Sequence, residues 1–270
     1  MIISIVSTSV QAAKPKLNNV SKGELDAILE EFAANFVHTS VSPAKSLGAV
    51  WGVEVGVVAG ITETPELEKL VKKADANTTV DKIPHAGALL AGSVPYGIGF
   101  EINMFPEKTF SGIKIKNTGG ALKWTVSDVF FSSLPIDVAV KAHYSKSTLS
   151  YSQTINNSST ANTDVDSTIT VENKIKGANI TVSGDILIFQ PFVGFGFAES
   201  DGKVGVTASG TATIFDQSIT ATNSQSASSK PSSAHLFAGL QFDLWLVNIA
   251  AEYTQVFGAK RYSAKFSFHF

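Results

Sequence analysis

The clearest pattern in this chain is a strict alternation of apolar and polar side chains over residues 261–270. Successive side chains of a β-strand point to opposite faces, so the alternation predicts a strand with one apolar and one polar face. The apolar face carries Tyr262, Ala264, Phe266, Phe268 and Phe270. The polar face carries Arg261, Ser263, Lys265, Ser267 and His269.

The same period of two recurs in segments upstream, which are separated by proline, glycine or polar stretches. We predict about ten antiparallel strands, an even number being the rule for single-chain bacterial barrels. The predicted strands are 51–61, 84–94, 96–105, 111–126, 135–151, 169–188, 191–208, 234–244, 247–257 and 260–270.

The apolar side chains of the fourth predicted strand change face halfway along it. Ile113 and Ile115 are apolar at odd positions, whereas Leu122 and Trp124 are apolar at even positions. Because a slip of one residue moves every side chain to the other face, this change predicts a β-bulge at 118–120.

Long and short connections alternate along the chain. The stretches 152–168 and 209–232 are rich in Ser, Thr and other small polar residues, which predicts loops, whereas the intervening turns are short. Outer-membrane barrels place long loops outside the cell and short turns in the periplasm. Four aromatic residues fall near the predicted periplasmic ends and indicate an interfacial girdle: Trp51, Tyr96, Trp124 and Trp245.

A helical period precedes the strands. Ser21 and Glu24 form a capping-box pattern, and the spacing of apolar residues after them predicts an amphipathic helix over 22–37. A second, shorter helix is predicted from Pro65, with Thr64 as its N-cap. The apolar face of the first helix, which must be covered, is formed by Leu25, Ile28, Leu29, Phe32 and Phe36.

The first residues have features of an export signal. A short apolar stretch precedes Val10-Gln11-Ala12, which is similar to a cleavage site before Ala13, so we expect 1–12 to be part of a signal peptide. An unstructured N-terminal tail is the alternative. The expected organisation is then a helical plug segment at 13–45 and a transmembrane barrel at 46–270.

Composition narrows the class of protein. Charged residues make up 16% of the chain, against roughly 25% in soluble domains. No apolar run approaches the ~18 residues of a membrane-spanning helix. These features fit a lipid-facing barrel, although a soluble β-sandwich would share them. A net charge of −2 argues against nucleic-acid binding, and the lack of cysteine excludes disulfides and thiolate metal sites.

The final strand, with its terminal Phe270, resembles the closing strand of bacterial outer-membrane β-barrels. In that family the terminal Phe is recognised by the barrel-assembly machinery, and Phe266, Phe268 and Phe270 would form this assembly signal here. The resemblance implies an all-β, antiparallel up-and-down transmembrane barrel of the outer membrane, with outer-membrane lipid and the assembly machinery as partners. The N-terminal amphipathic helix would be its plug or cap.

The inward-facing positions are those expected to carry function. Their charges are nearly balanced, so they either pair across and seal the lumen or line a weakly selective pore. The candidate lumen-lining residues are Glu54, Glu101, Lys123, Asp137, Lys141, His143, Asp185, Asp243, Glu252, Arg261 and Lys265.

Many inward positions are glycine, which leaves room in the lumen of a ten-strand barrel. We expect residues 20–45 to enter or cap the periplasmic mouth, an arrangement loosely similar to the N-terminal hatch of outer-membrane fatty-acid channels. The alternative is a helix lying flat on the inner leaflet. The predicted inward glycines are Gly52, Gly56, Gly60, Gly97, Gly99, Gly194, Gly196 and Gly239.

Three functions stay open at this point. The first is a small or gated passage for a small solute or hydrophobic ligand. The second is a sealed structural or adhesion barrel that displays its polar loops. The third, with little support, is a barrel lipid hydrolase, because His143 and Ser145 share a strand face without any recognised catalytic motif. We expect no catalytic residue, cofactor or metal.

Overall fold

The computed structural model describes most of the chain. The predicted signal peptide, the start of the predicted plug segment and parts of both polar loops lie outside the described residues. The described residues are 21–48, 50–74, 76, 80–110, 112–130, 135–157, 163–208, 212–215, 217–219 and 225–270.

In the described residues, ten long antiparallel strands form a closed barrel. The described strands are β1 Gly52–Glu63, β2 Lys82–Val94, β3 Ile98–Phe110, β4 Ile113–Thr125, β5 Ile136–Asn157, β6 Thr163–Gly184, β7 Phe189–Ala208, β8 Ala212–Phe215, β9 Gln217–Ile219, β10 Gln225–Ser229, β11 Ser232–Leu244, β12 Val247–Val256 and β13 Ala259–His269. The described α-helices are α1 Lys22–Phe36, α2 Pro65–Ala74 and α3 Ser127–Phe130.

The barrel closes where β13 pairs with β1, in a register that runs from Glu54 opposite His269 to Thr62 opposite Arg261. The strand β11 pairs with β7 only up to Glu199, and the short β10 pairs with the rest of β7, from Gly202 to Val206. The strands β8 and β9 form a separate hairpin. The fold is therefore the all-β barrel that the sequence predicts.

The two ends of the barrel differ. One end, here called the turn end, has the short connections after β2, β6 and β11, the helix α3, and the final residue Phe270. The other, the loop end, carries α2 and the longer connections after β5 and β7. In outer-membrane barrels the short turns face the periplasm and the long loops face the cell exterior.

Side chains on the outer wall are apolar over much of its height. Val55, Phe100, Leu122, Phe195 and Phe266 are all exposed and point away from the lumen. Such an apolar outer band is the lipid-facing surface of a transmembrane barrel. None of the helices in the described part of the chain is long and apolar enough to cross a membrane.

The predicted β-bulge at 118–120 is wrong. β4 runs in unbroken register against β5, and its odd residues face inward along the whole strand. Ile113 and Ile115 are therefore apolar residues facing the lumen near the loop end, while Leu122 and Trp124 face lipid. The lumen changes polarity along the barrel axis, and this change, not a slip of register, produces the pattern.

The predicted polar loops are also shorter than expected. The β5–β6 ladder continues from Tyr151 opposite Ile169 out to Asn157 opposite Thr163, and β10 lies within the second predicted loop. Backbone hydrogen bonds need no apolar side chains, so these strands extend into a polar stretch of sequence.

Candidate functional site: the plugged lumen

Residues 21–48, here called the plug, run through the lumen. The helix α1 occupies the loop-end half, and the extended segment after it descends to the turn end, where Lys45 pairs with Asp185. The structure confirms the predicted helix and its capping box but corrects its position. We expected residues 20–45 to enter or cap the periplasmic mouth, or the helix to lie flat on the inner leaflet. The plug does occupy the lumen, but α1 lies in the half opposite to the periplasmic mouth.

The physical reason for this position is the lining of the loop-end half, which is apolar. Leu29, Ala33 and Ala34 of α1 are fully buried. The wall side chains that form one core with the helix include Leu149, Tyr151, Ile169, Val171 and Ile175. This half of the lumen provides the larger apolar cluster, which covers the predicted plug residues Leu25, Ile28, Leu29, Phe32 and Phe36, whereas a smaller cluster surrounds Val41 of the extended part.

The helix α2, which lies in the loop-end connection between β1 and β2, packs against α1. Leu67, Leu70 and Val71 of α2 belong to the same apolar core as α1. The Glu31 carboxylate of the plug accepts hydrogen bonds from the backbone N–H groups of Glu66, at 2.7 Å, and Leu67, at 2.9 Å. Burial raises the pKa of Glu31 to about 7, against the opposing effect of these two hydrogen bonds.

Halfway along the lumen, charged wall residues bind the extended part of the plug. Glu101 lies 2.8 Å from Lys141 Nζ and 3.0 Å from His38 Nε2 of the plug. Lys141 also donates to Ser40 Oγ at 2.9 Å, while Lys123 donates to the carbonyl oxygen of Lys45 at 2.8 Å. These wall charges are thus paired with one another and with the plug.

A second set of wall residues holds the plug from β12, β13 and β1. Arg261 donates to the Val37 carbonyl at 2.7 Å, and the hydroxyl of Thr39 donates to Glu252 at 2.9 Å. Lys265 lies 2.7 Å from Glu54 and also donates to Ser42 Oγ at 2.9 Å. Eight of the candidate lumen residues are buried in this network or beside it: Glu54, Glu101, Lys123, Lys141, His143, Glu252, Arg261 and Lys265.

The other three candidates, Asp137, Asp185 and Asp243, lie at the turn end. There they line an open cavity of about 1130 Å³, here called the vestibule, together with Asp128 and Lys45. Lys45 pairs with Asp185 at 2.6 Å, and the Asp128 carboxylate accepts from Ser46 Oγ. The cavity ends inward at the level of Glu54, Glu101 and Lys123, where the plug lies across the lumen.

His143 and Ser145, on which the lipid-hydrolase hypothesis rests, do not form a catalytic pair. Ser145 Oγ donates to the Phe36 carbonyl at 2.8 Å. The His143 ring instead stacks near His38, with centroids 6.3 Å apart, and contacts His235 edge-on. In the described part of the chain, no group of three or more acidic, His or Cys side chains is arranged to hold a metal ion.

A Ser–His–Asn chain does occur elsewhere in the lumen. His85 lies 3.0 Å from Ser263 Oγ and 3.2 Å from Asn35 Oδ1 of the plug. Arg261 Nε donates to the same His85 nitrogen that faces the serine, at 3.3 Å. The adjacent cavity holds only about 10 Å³, too little for a substrate. The chain therefore ties the plug to the wall.

The glycines of the wall serve two purposes. The predicted inward residues Gly194 and Gly239 face the rings of Phe237 and Phe192, so wall side chains fill that space. Gly202 faces Leu29 of the plug instead, and a Cβ added there would lie 3.4 Å from Leu29 Cβ. Gly202, which is not among the predicted inward glycines, thus leaves room for α1.

The four predicted girdle residues all lie at the turn end. Tyr96 and Trp245 are exposed in turns, and Trp51 precedes β1. Trp124 Nε1 donates to the Tyr96 carbonyl at 3.1 Å. The backbones of Phe270 and Val53 hydrogen-bond to each other, which places the predicted assembly signal at the same rim.

Sequence reasoning missed polar wall residues that bind the extended plug, such as Thr125 and Ser183. Thr125 Oγ1 donates to the Ala44 carbonyl at 2.8 Å, and the Ala44 N–H donates to Ser183 Oγ at 3.1 Å. Their inward strand positions were a usable signal. Nothing in the pattern of residues 37–48 indicates that their backbone is the partner.

Similar proteins include several barrels of low sequence identity. The attachment invasion locus protein Ail of Yersinia pestis is 11% identical, with a TM-score of 0.32 over 82% of this chain and 97% of that chain. The outer-membrane protease OmpT of Escherichia coli is 8% identical, with a TM-score of 0.40 over 82% and 96%. The NalP autotransporter translocator domain of Neisseria meningitidis is 10% identical, with a TM-score of 0.43 over 83% and 89%.

No curated protein sequence matches the chain. The match to a family model extends over residues 17–270, which include the plug and the whole barrel. The chain therefore belongs to the family described as a family of unknown function, DUF6588.

Proposed function

We propose that this protein is a gated passage for small solutes across the bacterial outer membrane, with the plug as its gate in the closed position. The observation that carries the proposal is the way the wall charges are paired. Glu54 pairs with Lys265 and Glu101 with Lys141, so both acids keep a wall partner when the plug leaves. Without the plug, the charged part of the lumen would be a polar, charge-compensated column, as a solute path requires, while the loop-end half would keep its apolar lining.

The vestibule supports a passage that is entered from the turn end. It is wide enough for a small solute and is lined by Asp128, Asp137, Asp185 and Asp243, with Lys45 among them. We expect this excess of carboxylates to favour cations over anions in the open state.

A sealed display barrel is the second candidate, and the burial of α1 favours it. Ile28, Leu29 and Phe32 are almost entirely buried, and α2 packs on the same core. Expelling α1 as a unit would expose this apolar surface, which costs about 1.5–3 kcal/mol for each large side chain. This cost of moving α1 is the main argument for a sealed barrel.

We expect no lipid hydrolase activity. The two candidate nucleophiles are buried and engaged: Ser145 Oγ donates to the Phe36 carbonyl, and Ser263 Oγ lies 3.0 Å from His85. A lipase activity of the purified protein that is lost in His85→Ala or His143→Ala would contradict this.

The test of the gate is a reversible lock between plug and wall. Leu29→Cys with Gly202→Cys places two Cβ atoms about 3.4 Å apart, close to the spacing of natural disulfides, roughly 3.5–4.5 Å. The chain has no other cysteine. Single-channel conductance is recorded in planar bilayers for the wild type, for the oxidised and reduced double variant, and for a chain without residues 13–45.

We expect openings in the wild type and the reduced variant, loss of openings on oxidation, and larger steady conductance after the deletion. Folding of each form is checked by heat-modifiable gel mobility. Silence of every folded form would overturn the passage and favour the sealed barrel. Equal conductance of the oxidised and reduced forms would show that α1 is not the moving part of a gate.

A further inference from the structure

Three lysines stand together on the outer wall towards the loop end. Lys116 on β4, Lys146 on β5 and Lys174 on β6 are exposed and point away from the lumen. These three residues are here called the lysine patch. They lie on neighbouring strands, so the barrel wall and not a flexible loop fixes their spacing.

The strand register brings the positive charges close to one another. Lys146 lies directly opposite Lys174 across the β5–β6 ladder. On its other side Lys146 is opposite Thr118, and Lys116 is the next outward residue of β4. Directly opposed side chains in a sheet have Cβ atoms about 4.5–5.5 Å apart, and like charges at that distance are destabilising. A bound anion would remove this repulsion.

The protein supplies only part of the compensation, because Asp201 of β7 lies opposite Lys174 in the β6–β7 register. Among the described residues, no carboxylate lies within ion-pair distance of the lysine patch. The neighbouring acids have other partners: Glu199 pairs with Lys176 at 3.1 Å, and Asp201 with Lys230 at 3.8 Å. Glu172 is the next outward-facing residue of β6 towards the loop end. It lies opposite Thr148 of β5 on one side and opposite Lys203 of β7 on the other.

The height of the lysine patch on the wall identifies the kind of anion. On the turn-end side of the patch the same strands present Leu122, Tyr144 and Ile180 to the outside, all exposed. Lipid-facing barrel surfaces are apolar, and tyrosine favours the interface with the headgroups. The patch therefore starts where the apolar band ends, at the level of headgroups at the loop end.

We infer that the lysine patch binds the phosphate groups of an anionic lipid in the outer leaflet. Lysine stems extend along the apolar wall while the ammonium groups reach the polar layer, so all three can engage phosphates of one headgroup. Lipopolysaccharide and phosphatidylglycerol share this chemistry, and we assign lipopolysaccharide because the loop end faces the cell exterior.

The experiment compares two triple variants of the full chain in zwitterionic detergent. The test variant carries Lys116→Gln, Lys146→Gln and Lys174→Gln. The control variant carries Lys82→Gln, Lys108→Gln and Lys260→Gln, which removes the same charge from exposed lysines near the same end of other strands. Binding of purified lipopolysaccharide, of phosphatidylglycerol and of inorganic phosphate is measured by titration calorimetry, after folding is checked by heat-modifiable mobility.

We expect the wild type and the control variant to bind lipopolysaccharide alike. The test variant should bind about a hundredfold more weakly, at roughly fivefold for each lysine. Equal affinity of the two variants would overturn the proposal. Equal binding of phosphatidylglycerol would overturn the assignment to lipopolysaccharide, and full competition by millimolar phosphate would overturn the assignment to a lipid. If the triple variant fails to fold, Lys146→Gln alone gives the same comparison at about fivefold.

Discussion

The two halves of the lumen hold the same plug by different means. In the loop-end half, α1 buries Leu29 and Phe32 against apolar wall residues such as Ile169. Beyond α1 the plug is extended, and wall cations such as Lys123 and Arg261 donate to its carbonyl oxygens. The first half is stabilised by removal of apolar surface from water, the second by charge-assisted hydrogen bonds.

The difference follows from the backbone. A helix satisfies most of its own N–H and C=O groups, so α1 needs only apolar cover. An extended segment satisfies none of its own, and buried carbonyl groups left without donors are costly. Wall cations such as Lys123 and Arg261 thus serve the backbone of residues 37–48, and other wall charges bind its hydroxyl groups, which explains why a lumen filled by a plug keeps so many charges.

The largest effect is expected from breaking the charged half at Glu101. Glu101→Leu leaves Lys141 and His38 without their carboxylate, and loss of one partner of a buried pair costs about 3–5 kcal/mol of the free energy of unfolding. The measurement is urea unfolding in lipid vesicles, followed by tryptophan fluorescence. Glu107→Leu, an exposed change on the same strand, should stay within about 0.5 kcal/mol of the wild type. Equal losses of unfolding free energy in Glu101→Leu and Glu107→Leu would contradict the role of Glu101 in the buried charge network.

The apolar half is tested at Leu29, which is fully buried. Leu29→Ala should cost about 3 kcal/mol, because it leaves a cavity between α1 and the wall. The same unfolding assay at low and high salt sharpens the comparison. The loss at Leu29 should be insensitive to salt, and Leu122→Ala on the lipid face should cost less. A strong salt dependence of the Leu29→Ala loss would argue against an apolar seat for α1.

A smaller effect is expected at Thr125, where a near-isosteric change removes one hydroxyl. Thr125→Val leaves the buried Ala44 carbonyl without its donor and should cost about 1–3 kcal/mol. Hydrogen exchange of residues 40–46 should accelerate while exchange of α1 stays unchanged. Thr118→Val on the outer wall is the matched control. Faster exchange in α1 as well would mean that the two halves do not respond separately.

The smallest effect concerns pH at the α1–α2 contact. Burial raises the pKa of Glu31 to about 7 from an ordinary value of 4.5, so the folded state binds the extra proton more tightly than the unfolded state. The stabilisation is therefore present below pH 4.5 and is lost as the pH rises through about 7. Hydrogen exchange of α2 should slow as the pH falls from 8 to 5, after correction for intrinsic rates. Glu31→Gln should abolish this change, and an unchanged pH response in that variant would refute the role of Glu31.

Much of the barrel could be predicted because strand parity is a local property. The alternation in 261–270 and the inward positions of Glu54 and Lys141 follow from a period of two. Both predicted helices could also be read, since Ser21 with Glu24, and Thr64 with Pro65, are local start signals.

The position of α1 could not be read from the helix, because an apolar face indicates that cover is needed but not where it lies. The wall residues indicate where this cover lies. Ile113, Ile115, Leu149 and Tyr151 are apolar at inward positions near the loop end, and we interpreted the first two as a register slip. The partners of residues 37–48 were out of reach, since hydrogen bonds to the backbone leave no pattern in the plug's own side chains.

The most direct test of the account is where α1 lies in the lumen of the protein in whole cells. Two double variants are compared after mild oxidation: Leu29→Cys with Gly202→Cys, and Leu29→Cys with Gly99→Cys, whose second position lines the turn-end vestibule. A disulfide in the first pair and none in the second, read by gel mobility and peptide mapping, is the predicted result. A disulfide only in the second pair would place the helix at the periplasmic mouth and contradict the plugged lumen described here.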